Sequence, residues 1–203
     1  MASIYQLKPA FQGLLRPLSN TLARRGITAN QVTIAAAVLS GATGLILAIF
    51  PMTPAVWFLV PLVMFVRMAM NAIDGMLARE HNMQSDLGAI LNEVGDVVSD
   101  AVLYLPFCFL PGVSPTLVVL FVWLSGLSEM TGIVGVQIGA SRRYDGPSGK
   151  SDRAALMGAF ALIYALGWSL GTWSNVLLTI ACLGICWTIW NRARGALAEK
   201  GAS

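Results

Sequence analysis

Charged residues are scarce in this chain. Asp, Glu, Lys and Arg make up 11% of its 203 residues, whereas 56% are hydrophobic. Soluble domains usually carry about 25% charged residues, so this composition excludes an ordinary soluble domain and predicts an integral membrane protein. The formal net charge of +3 is small and its basic residues are scattered, which excludes a nucleic-acid-binding surface and favours a role for these residues in membrane orientation.

The side chains that most often bind transition metals are also few. The single histidine, His81, falls in a polar loop, and the three cysteines have apolar neighbours. Cys182 and Cys186 share a helix face, but no third ligand lies near them in the sequence, so a thiolate metal site is not expected. The first residues lack the positive-then-apolar pattern of a cleaved signal peptide. Internal repeats and low-complexity segments are not evident either.

Long apolar segments are what the sequence does contain. Each is close to the ~20 residues needed to cross a bilayer, and together they predict six spans, at about 30–50, 55–79, 88–110, 116–140, 154–170 and 175–190. We therefore expect an all-α integral membrane protein with six transmembrane helices. The expected division is a juxtamembrane segment at 1–29, a transmembrane domain at 30–192 and a cytoplasmic tail at 193–203.

The segment before the first span has a different character. Residues 3–22 mix Leu, Ile and Phe with Lys8 and Arg16, and Pro9 and Pro17 fall among them. Such a segment is too short and too charged to span, so it predicts an amphipathic stretch on the membrane surface, interrupted by its prolines.

Basic residues indicate the orientation. In the six-span arrangement, all of the 13 Lys and Arg residues except Arg67 fall on one side. Cytoplasmic loops of membrane proteins are enriched in these residues. We therefore expect a multi-pass protein of a bacterial inner membrane with both termini in the cytoplasm.

Most of the ten acidic residues lie within residues 71–100. Polar groups at membrane depth are costly and are retained mainly where they bind or react. Helical spacing places these residues on two faces: Asn71, Asp74, Gly75 and Ala78 on one, and Gly88, Asn92, Asp96 and Asp100 on the other. If the two faces meet, they form a polar cleft open to the cytoplasm, which is the predicted active site.

Three further charges have a similar predicted depth. Arg67, Asp100 and Glu129 each lie roughly 17 Å from the cytoplasmic helix ends, at 1.5 Å per residue. We expect them to form a buried ion-pair cluster that orients the helices below the site.

The polar stretch resembles a family signature. It reads N-x2-D-G-x2-A-R-x8-G-x3-N-x3-D from Asn71 to Asp96, and it is similar to the D-x2-D-G-x2-A-R-x8-G-x3-D-x3-D pattern of the CDP-alcohol phosphotransferase (CDP-alcohol phosphatidyltransferase) family. Every spacing and six of the eight defined positions match. Asn30 and Thr33 look like residues that begin the first helix in many members, and residues 146–154 resemble the lysine-containing segment that opens their fifth helix.

The resemblance implies a commonly dimeric six-helix enzyme that transfers a phosphoalcohol from a CDP-linked donor to an acceptor hydroxyl and releases CMP. It implies a divalent metal, Mg²⁺ or Mn²⁺, held at the motif positions Asn71, Asp74, Asn92 and Asp96. The last acid, Asp96, would serve as general base. Close approach of the nucleotide would be allowed by Gly75, Ala78 and Gly88.

Two motif acids are replaced by amides in this chain, at Asn71 and Asn92. An amide oxygen can coordinate a hard cation but brings no charge, so metal binding should be weaker or limited to one ion where relatives hold two. Asp86, just before Gly88, is the nearest substitute carboxylate. Asp74 and Asp96, which remain, argue against a loss of activity.

Several polar residues keep two interpretations. Asn30 and Thr33 could donate to phosphate or only cap the first helix, and Arg79 could pair with phosphate or anchor the helix at the membrane surface. A basic cluster near the cleft could bind an anionic acceptor or a lipid headgroup, or could only set orientation; it comprises Arg142, Arg143, Lys150 and Arg153.

The sequence therefore predicts a membrane transferase of phospholipid biosynthesis that uses CDP-diacylglycerol or another CDP-alcohol. One alternative is a catalytically impaired relative that binds nucleotide or lipid, as the two amides suggest. Another is a cation transporter, against which the absence of repeats argues.

Overall fold

The computed structural model describes residues 4–201, with side chains from residue 9 onward, so the side chain of Lys8 and the extreme ends of the predicted juxtamembrane segment and tail lie outside the description. No strand occurs between residues 4 and 201. Within these residues there are seven α-helices, α1 Ile4–Arg24, α2 Ala29–Ile49, α3 Leu59–Glu80, α4 Asp86–Tyr104, α5 Pro115–Gln137, α6 Lys150–Ala165 and α7 Gly171–Gly201. Short 3-10 helices at Pro54–Phe58 and Leu105–Phe109 precede α3 and follow α4.

Four segments are long and apolar enough to cross a membrane: Ala29–Ile49, Pro54–Glu80, Pro115–Gln137 and Gly171–Gly201. The predicted all-α membrane architecture is therefore confirmed. The third and fifth predicted spans are less apolar or shorter, since α4 carries four acids and α6 has 16 residues, about 24 Å at 1.5 Å per residue. Six crossings therefore stay a prediction. For α4 and α6 to cross as well, neighbouring helices would have to shield them from lipid.

The N-terminal segment is a continuous helix, so the prediction that its prolines interrupt it was wrong. Both Pro9 and Pro17 lie inside α1. Contacts with α3 and the turn after it offset the backbone hydrogen bonds that proline cannot make. The Phe11 and Phe65 rings meet edge to face at 6.4 Å, and Arg16 Nη2 lies 2.9 Å from Glu80 Oε1.

The larger of two hydrophobic core clusters in the described part of the chain contains no residue of 71–96, and a smaller one packs Ile73 and Leu77 against Ala29 and Val32. The largest buried side chains of the larger cluster include Trp57, Tyr104, Phe107, Phe121 and Phe160. The rings of Trp57 and Phe107 pack edge to face with centroids 4.6 Å apart. Between helices in a membrane such rings stabilise through van der Waals packing, because lipid is as apolar as the side chains. The larger cluster therefore fixes the helices relative to one another.

Two local features bring α2, α3 and α4 together. Thr28 and Gln31 form a capping box that begins α2, and a short turn with Asn82 at φ 55° reverses the chain between α3 and α4. Farther along, a Cβ on Gly44 would collide with the backbone carbonyl of Val102, so α2 and α4 approach closely only because residue 44 is glycine. The two predicted polar faces therefore lie on helices that both pack against α2.

Candidate active site

The polar faces of α3 and α4 meet, as their spacing predicted. Asn71 Nδ2 donates a hydrogen bond to Asp96 Oδ1 at 2.9 Å. This bond joins the first motif position on α3 to the last on α4.

A cavity of about 420 Å³ lies between α2, α3 and the start of α4. We call it the α2–α4 cavity; it is lined by Asn30, Thr33, Asn71, Asp74, Gly75, Ala78, Arg79, Met83, Gln84, Ser85, Gly88, Ala89 and Asn92. The structure thus brings together every residue that the sequence assigned to donor binding and three of the four assigned to metal. Gln84 and Ser85 were not anticipated, because a short loop has no periodicity to indicate where its side chains lie.

Asp74 is the buried carboxylate of this cavity. Its Oδ2 accepts a hydrogen bond from Thr33 Oγ1 at 2.8 Å, and it forms no salt bridge within the described residues. The hydroxyl of Thr33 also approaches the carbonyl of Ala29 at 3.1 Å. A buried carboxylate without a cationic partner is costly, so Asp74 is poised to receive a cation.

The motif glycines make room for polar side chains. A Cβ on Gly88 would lie 2.7 Å from Asn30 Oδ1, and one on Gly75 would lie 2.9 Å from Arg79 Nη2. Ser85 Oγ accepts from the Gly88 backbone N–H at 3.0 Å and caps α4. Small residues at these positions therefore let Asn30 and Arg79 lie along the cavity wall.

Asp96 lies between this cavity and a second one. Besides its bond from Asn71, it pairs with Lys150 through Oδ2, and its Oδ1 lies 3.6 Å from Arg67 Nη2. Arg67 Nη1 also pairs with Asp100 Oδ1 at 3.0 Å. The side chain of Lys150 is 36% exposed and that of Arg67 is 7% exposed, so lysine is the partner that can move away.

The second cavity, of about 470 Å³, lies between α4, α5, α6 and α7. We call it the α4–α7 cavity. Its charged lining residues are Glu93, Asp96, Asp100, Glu129, Asp152, Arg142, Lys150, Arg153 and Arg192. Three of the four predicted acceptor-binding residues are therefore here, beside Asp96.

Glu129 organises the inner part of the α4–α7 cavity. Its carboxylate lies 2.6 Å from Arg153 Nη2, 3.4 Å from Arg192 Nη1 and 3.9 Å from Arg142 Nη2. The expectation that Glu129 joins Arg67 and Asp100 in one cluster was wrong, because nearer arginines on α6, α7 and the preceding loop satisfy it. In the sequence, Arg192 is one of the basic residues that indicate orientation; the lone acid Glu129 at membrane depth on α5 was the signal that a basic partner exists.

Arg143 lies apart from both cavities. It pairs with Asp145 at 2.7 Å and with Glu199 at 2.7 Å, and its guanidinium lowers the pKa of the Asp145 carboxyl. Its neighbour Arg142 instead pairs with Glu93 and lies over the Tyr144 ring. Arg143 therefore holds the loop after α5 against the end of α7.

An apolar groove of about 500 Å³ opens between α3 and α6 and reaches the polar residues. We call it the α3–α6 groove. Its lining residues are Pro61, Met64, Phe65, Arg67, Met68, Asn71, Asp100, Tyr104, Lys150, Ser151, Ala154, Ala155 and Gly158. It shares Asn71 with the α2–α4 cavity, so the two spaces meet at this amide.

The motif oxygens suit one hard divalent cation. The carboxylates of Asp74 and Asp96 and the amides of Asn71 and Asn92 supply the ligand type that Mg²⁺ and Mn²⁺ prefer. A cluster of three or more His, Cys, Asp or Glu side chains suited to a metal is absent from residues 4–201. Asp86 is exposed and is not among the residues lining the α2–α4 cavity, so it does not replace the missing carboxylates there.

A helical bundle whose acidic and amide cleft joins an apolar groove suits a substrate with a polar head and an apolar tail. The CDP-alcohol phosphatidyltransferase family model matches residues 26–190. The chain belongs to that family, and it is a membrane transferase of phospholipid biosynthesis, as the motif predicted.

Individual relatives agree with this membership. The chain is 48% identical over 195 residues to the inner membrane protein YnbA of Escherichia coli (strain K12), covering 96% of each chain. Its fold resembles that of a phosphatidylinositol phosphate synthase of Mycobacterium tuberculosis solved with CDP-DAG bound, with a TM-score of 0.76 at 20% identity over 92% of this chain and 94% of that one. The same synthase in complex with manganese and citrate gives 0.76 at 21% identity over 92% and 90%.

Proposed function

We propose that the protein transfers a phosphatidyl group from CDP-diacylglycerol to the hydroxyl of an alcohol and releases CMP. The observation that carries this proposal is the junction at Asn71. There a polar cavity, an apolar groove and the hydrogen bond to Asp96 meet. A donor with a nucleotide diphosphate head and acyl chains fits such a junction, whereas a small CDP-alcohol would leave the groove unused.

The head of the donor would occupy the α2–α4 cavity. Asn30 and Thr33 supply polar groups on α2, while Gly75, Ala78 and Gly88 keep the walls low enough for close approach. Arg79 is exposed at the cytoplasmic end of α3, where its guanidinium can form charge-assisted hydrogen bonds with the diphosphate. The acyl chains would lie in the α3–α6 groove.

Asp74, Asn71, Asn92 and Asp96 would hold a divalent cation, Mg²⁺ or Mn²⁺. Its contribution when bound would be to neutralise diphosphate charge and favour departure of CMP. With two carboxylates in this set, one ion is expected.

The acceptor oxygen would attack the phosphorus that bears the diacylglycerol. The new P–O bond forms as the bond to the bridging oxygen breaks, and CMP leaves with that electron pair. The hydroxyl proton passes to the Asp96 carboxylate. Lys150 must first withdraw from Asp96 Oδ2, and its partial exposure at the start of α6 allows this.

The acceptor would enter through the α4–α7 cavity, where Arg142, Lys150 and Arg153 lie on the far side of Asp96 from the donor. Arg143 is left out of this role because it pairs elsewhere. A homodimer in a bacterial inner membrane, with both termini and the site in the cytoplasm, completes the proposal on the strength of the motif resemblance and the distribution of Lys and Arg.

The test is CMP release by purified protein given CDP-diacylglycerol, Mg²⁺ or Mn²⁺ and a panel of alcohols. CDP-ethanolamine serves as the short donor for comparison. We expect CMP and a new phospholipid from CDP-diacylglycerol only. Equal use of the short donor would contradict the role of the α3–α6 groove.

The impaired relative remains the second candidate, because Asn71 and Asn92 replace acids and Asp96 is paired with two cations. Tight binding of CDP-diacylglycerol without CMP release, under every metal and acceptor condition, would favour it.

A further inference from the structure

All four cationic side chains that line the α4–α7 cavity are already paired with carboxylates. Five carboxylates and four cationic side chains line it. Arg142 pairs with Glu93 and Glu129, Lys150 pairs with Asp96, and both Arg153 and Arg192 pair with Glu129. A site for a phosphorylated compound offers cationic donors that are free to pair with phosphate, and none of these four cations is free in that sense.

The two innermost arginines are the least available. Arg153 is 1% exposed and also donates from Nη1 to Ser128 Oγ and to the Ser148 carbonyl, each at 3.1 Å. Arg192 is 2% exposed and donates to the Ser128 carbonyl at 2.5 Å. A phosphate could reach them only by displacing Glu129, which would leave that carboxylate buried without a partner.

The N-terminus of α6, which is the positive end of its helix dipole, is not available to an anion in this cavity either. Gly149, Lys150, Ser151 and Asp152 at the start of α6 line the cavity. The Asp152 carboxylate accepts from the Gly149 N–H at 2.9 Å, so an acid already compensates the dipole that would attract an anion there.

Several polar side-chain atoms of the cavity residues, by contrast, make no hydrogen bond. Tyr104 Oη and the Nε atoms of Arg142, Arg153 and Arg192 are buried and have no hydrogen-bond partner. All four belong to residues that line the cavity. A cavity whose cations are paired and whose lining includes neutral polar side chains, among them Asn92, Ser125 and Ser151, is suited to a ligand that brings several oxygen atoms but no net charge.

We propose that the acceptor is an uncharged polyhydroxy alcohol, and that Glu129 is the residue that selects against phosphorylated acceptors. This inference rests on the proposed transfer reaction. A phosphate monoester carries about two negative charges at neutral pH. Entering this cavity, it would face the carboxylates of Glu129 and Glu93, and the arginines around these acids are already paired.

The first arm of the test measures activity with matched acceptors. CDP-diacylglycerol and Mg²⁺ are supplied with glycerol or sn-glycerol 3-phosphate, and with myo-inositol or myo-inositol 1-phosphate. The uncharged member of a pair should be favoured by about a hundredfold in kcat/KM, since like-charge juxtaposition is strongly unfavourable. Preference for the phosphorylated member would overturn the inference. CMP release with no acceptor at all would count against the transfer reaction, and the second arm would still decide the charge preference.

The second arm measures binding of sn-glycerol 3-phosphate to the donor-free protein by titration calorimetry. Wild type should show no saturable binding, and Glu129→Gln should gain it because three arginines lose their shared partner. Glu93→Gln leaves Arg142 only its longer contact with Glu129, at 3.9 Å, and should gain weaker binding, which keeps the test decisive if Glu129→Gln does not fold. Asp145→Asn is the matched control, since it removes one carboxylate partner of Arg143 outside the cavity and should gain nothing. Saturable binding by wild type, or equal gains in the control and in the folded cavity variants, would overturn the inference.

Discussion

The two cavities on either side of Asp96 treat charge in opposite ways. Among the residues lining the α2–α4 cavity, two are charged, Asp74 and Arg79, and the others are amides, hydroxyls, small side chains and Met83. Nine charged residues line the α4–α7 cavity, and its cations are paired. The first cavity leaves a buried carboxylate without a cation, so charge must arrive with its ligands. In the second cavity the cations are already paired, so it recognises its ligand through hydrogen bonds and shape.

Asp96 lies at the boundary between the α2–α4 cavity and the α4–α7 cavity. Asn71 holds one of its oxygens from the donor side, and Lys150 holds the other from the acceptor side. A proton acceptor at this boundary is within reach of an alcohol in one cavity and a diphosphate in the other. The four variants below test this division, in order of decreasing expected effect.

Asp74→Ala removes the unpaired carboxylate of the α2–α4 cavity. We expect CMP release to fall by at least about 10³-fold, the scale of losing a main electrostatic contact to the reacting group. Folding should change little, because Thr33 is the side chain that bonds to Asp74 and a hydrogen bond contributes about 1 kcal/mol. Thermal unfolding and CMP release measure the two effects. Asp86→Ala, at an exposed acid, is the control, and an equal loss there would contradict the assignment.

Asp96→Asn removes the proton acceptor at the boundary. General bases contribute typically 10²–10⁴-fold, so we expect roughly a 10³-fold loss of kcat. Binding of CDP-diacylglycerol should persist, because the Asn30–Gly88 wall of the donor cavity is untouched. Steady-state kinetics and equilibrium donor binding separate the two. Near-normal kcat in this variant would remove Asp96 from the reaction.

Gly88→Ala narrows the donor cavity. The added Cβ would lie 2.7 Å from Asn30 Oδ1, and the Asn30 amide must shift to admit it. We expect KM for the donor to rise by about tenfold with kcat little changed, since overpacking typically costs 1–3 kcal/mol. Gly41→Ala is the matched control, because a Cβ there meets no atom within 4 Å. A similar KM for both variants would show that the donor does not contact this wall.

Asn71→Asp restores the acid of the family pattern. Its carboxylate would lie beside Asp96, where Asn71 Nδ2 now lies 2.9 Å from Oδ1, and two adjacent carboxylates favour a bound cation. Activity should be retained at saturating Mg²⁺ or Mn²⁺, with a steeper dependence on the metal. A titration of activity against metal concentration measures this. Complete loss would mean that these residues do not hold the ion together.

The donor side of the site was predictable because its residues obey helical spacing. Asn71 and Asp74 are three apart on α3, and Asn92 and Asp96 are four apart on α4, so each pair shares a face. One short turn between the helices then brings the faces together. Local periodicity and a close connection were sufficient here.

The acceptor side was predicted only in part because its partners are remote in sequence. Glu129 and Arg192 are on α5 and α7 and meet only when these helices pack. Arg142 and Arg143 are adjacent in a loop without periodicity, yet the first lines the cavity and the second pairs with Glu199. Proline rules alone also misjudged α1, because packing against α3 supports a helix that would be poor in isolation.

By itself, the amino-acid sequence determined the membrane class, the helical fold and the two polar faces of the motif, because hydropathy and residue spacing act over a single helix. Only the tertiary structure decided which charges neutralise which. Ion pairs between α4, α5, α6 and α7 depend on distances that exist once the helices have packed. In this protein, those ion pairs distinguish the α4–α7 cavity, whose cations are already paired, from the α2–α4 cavity, whose buried Asp74 lacks a cationic partner among the described residues.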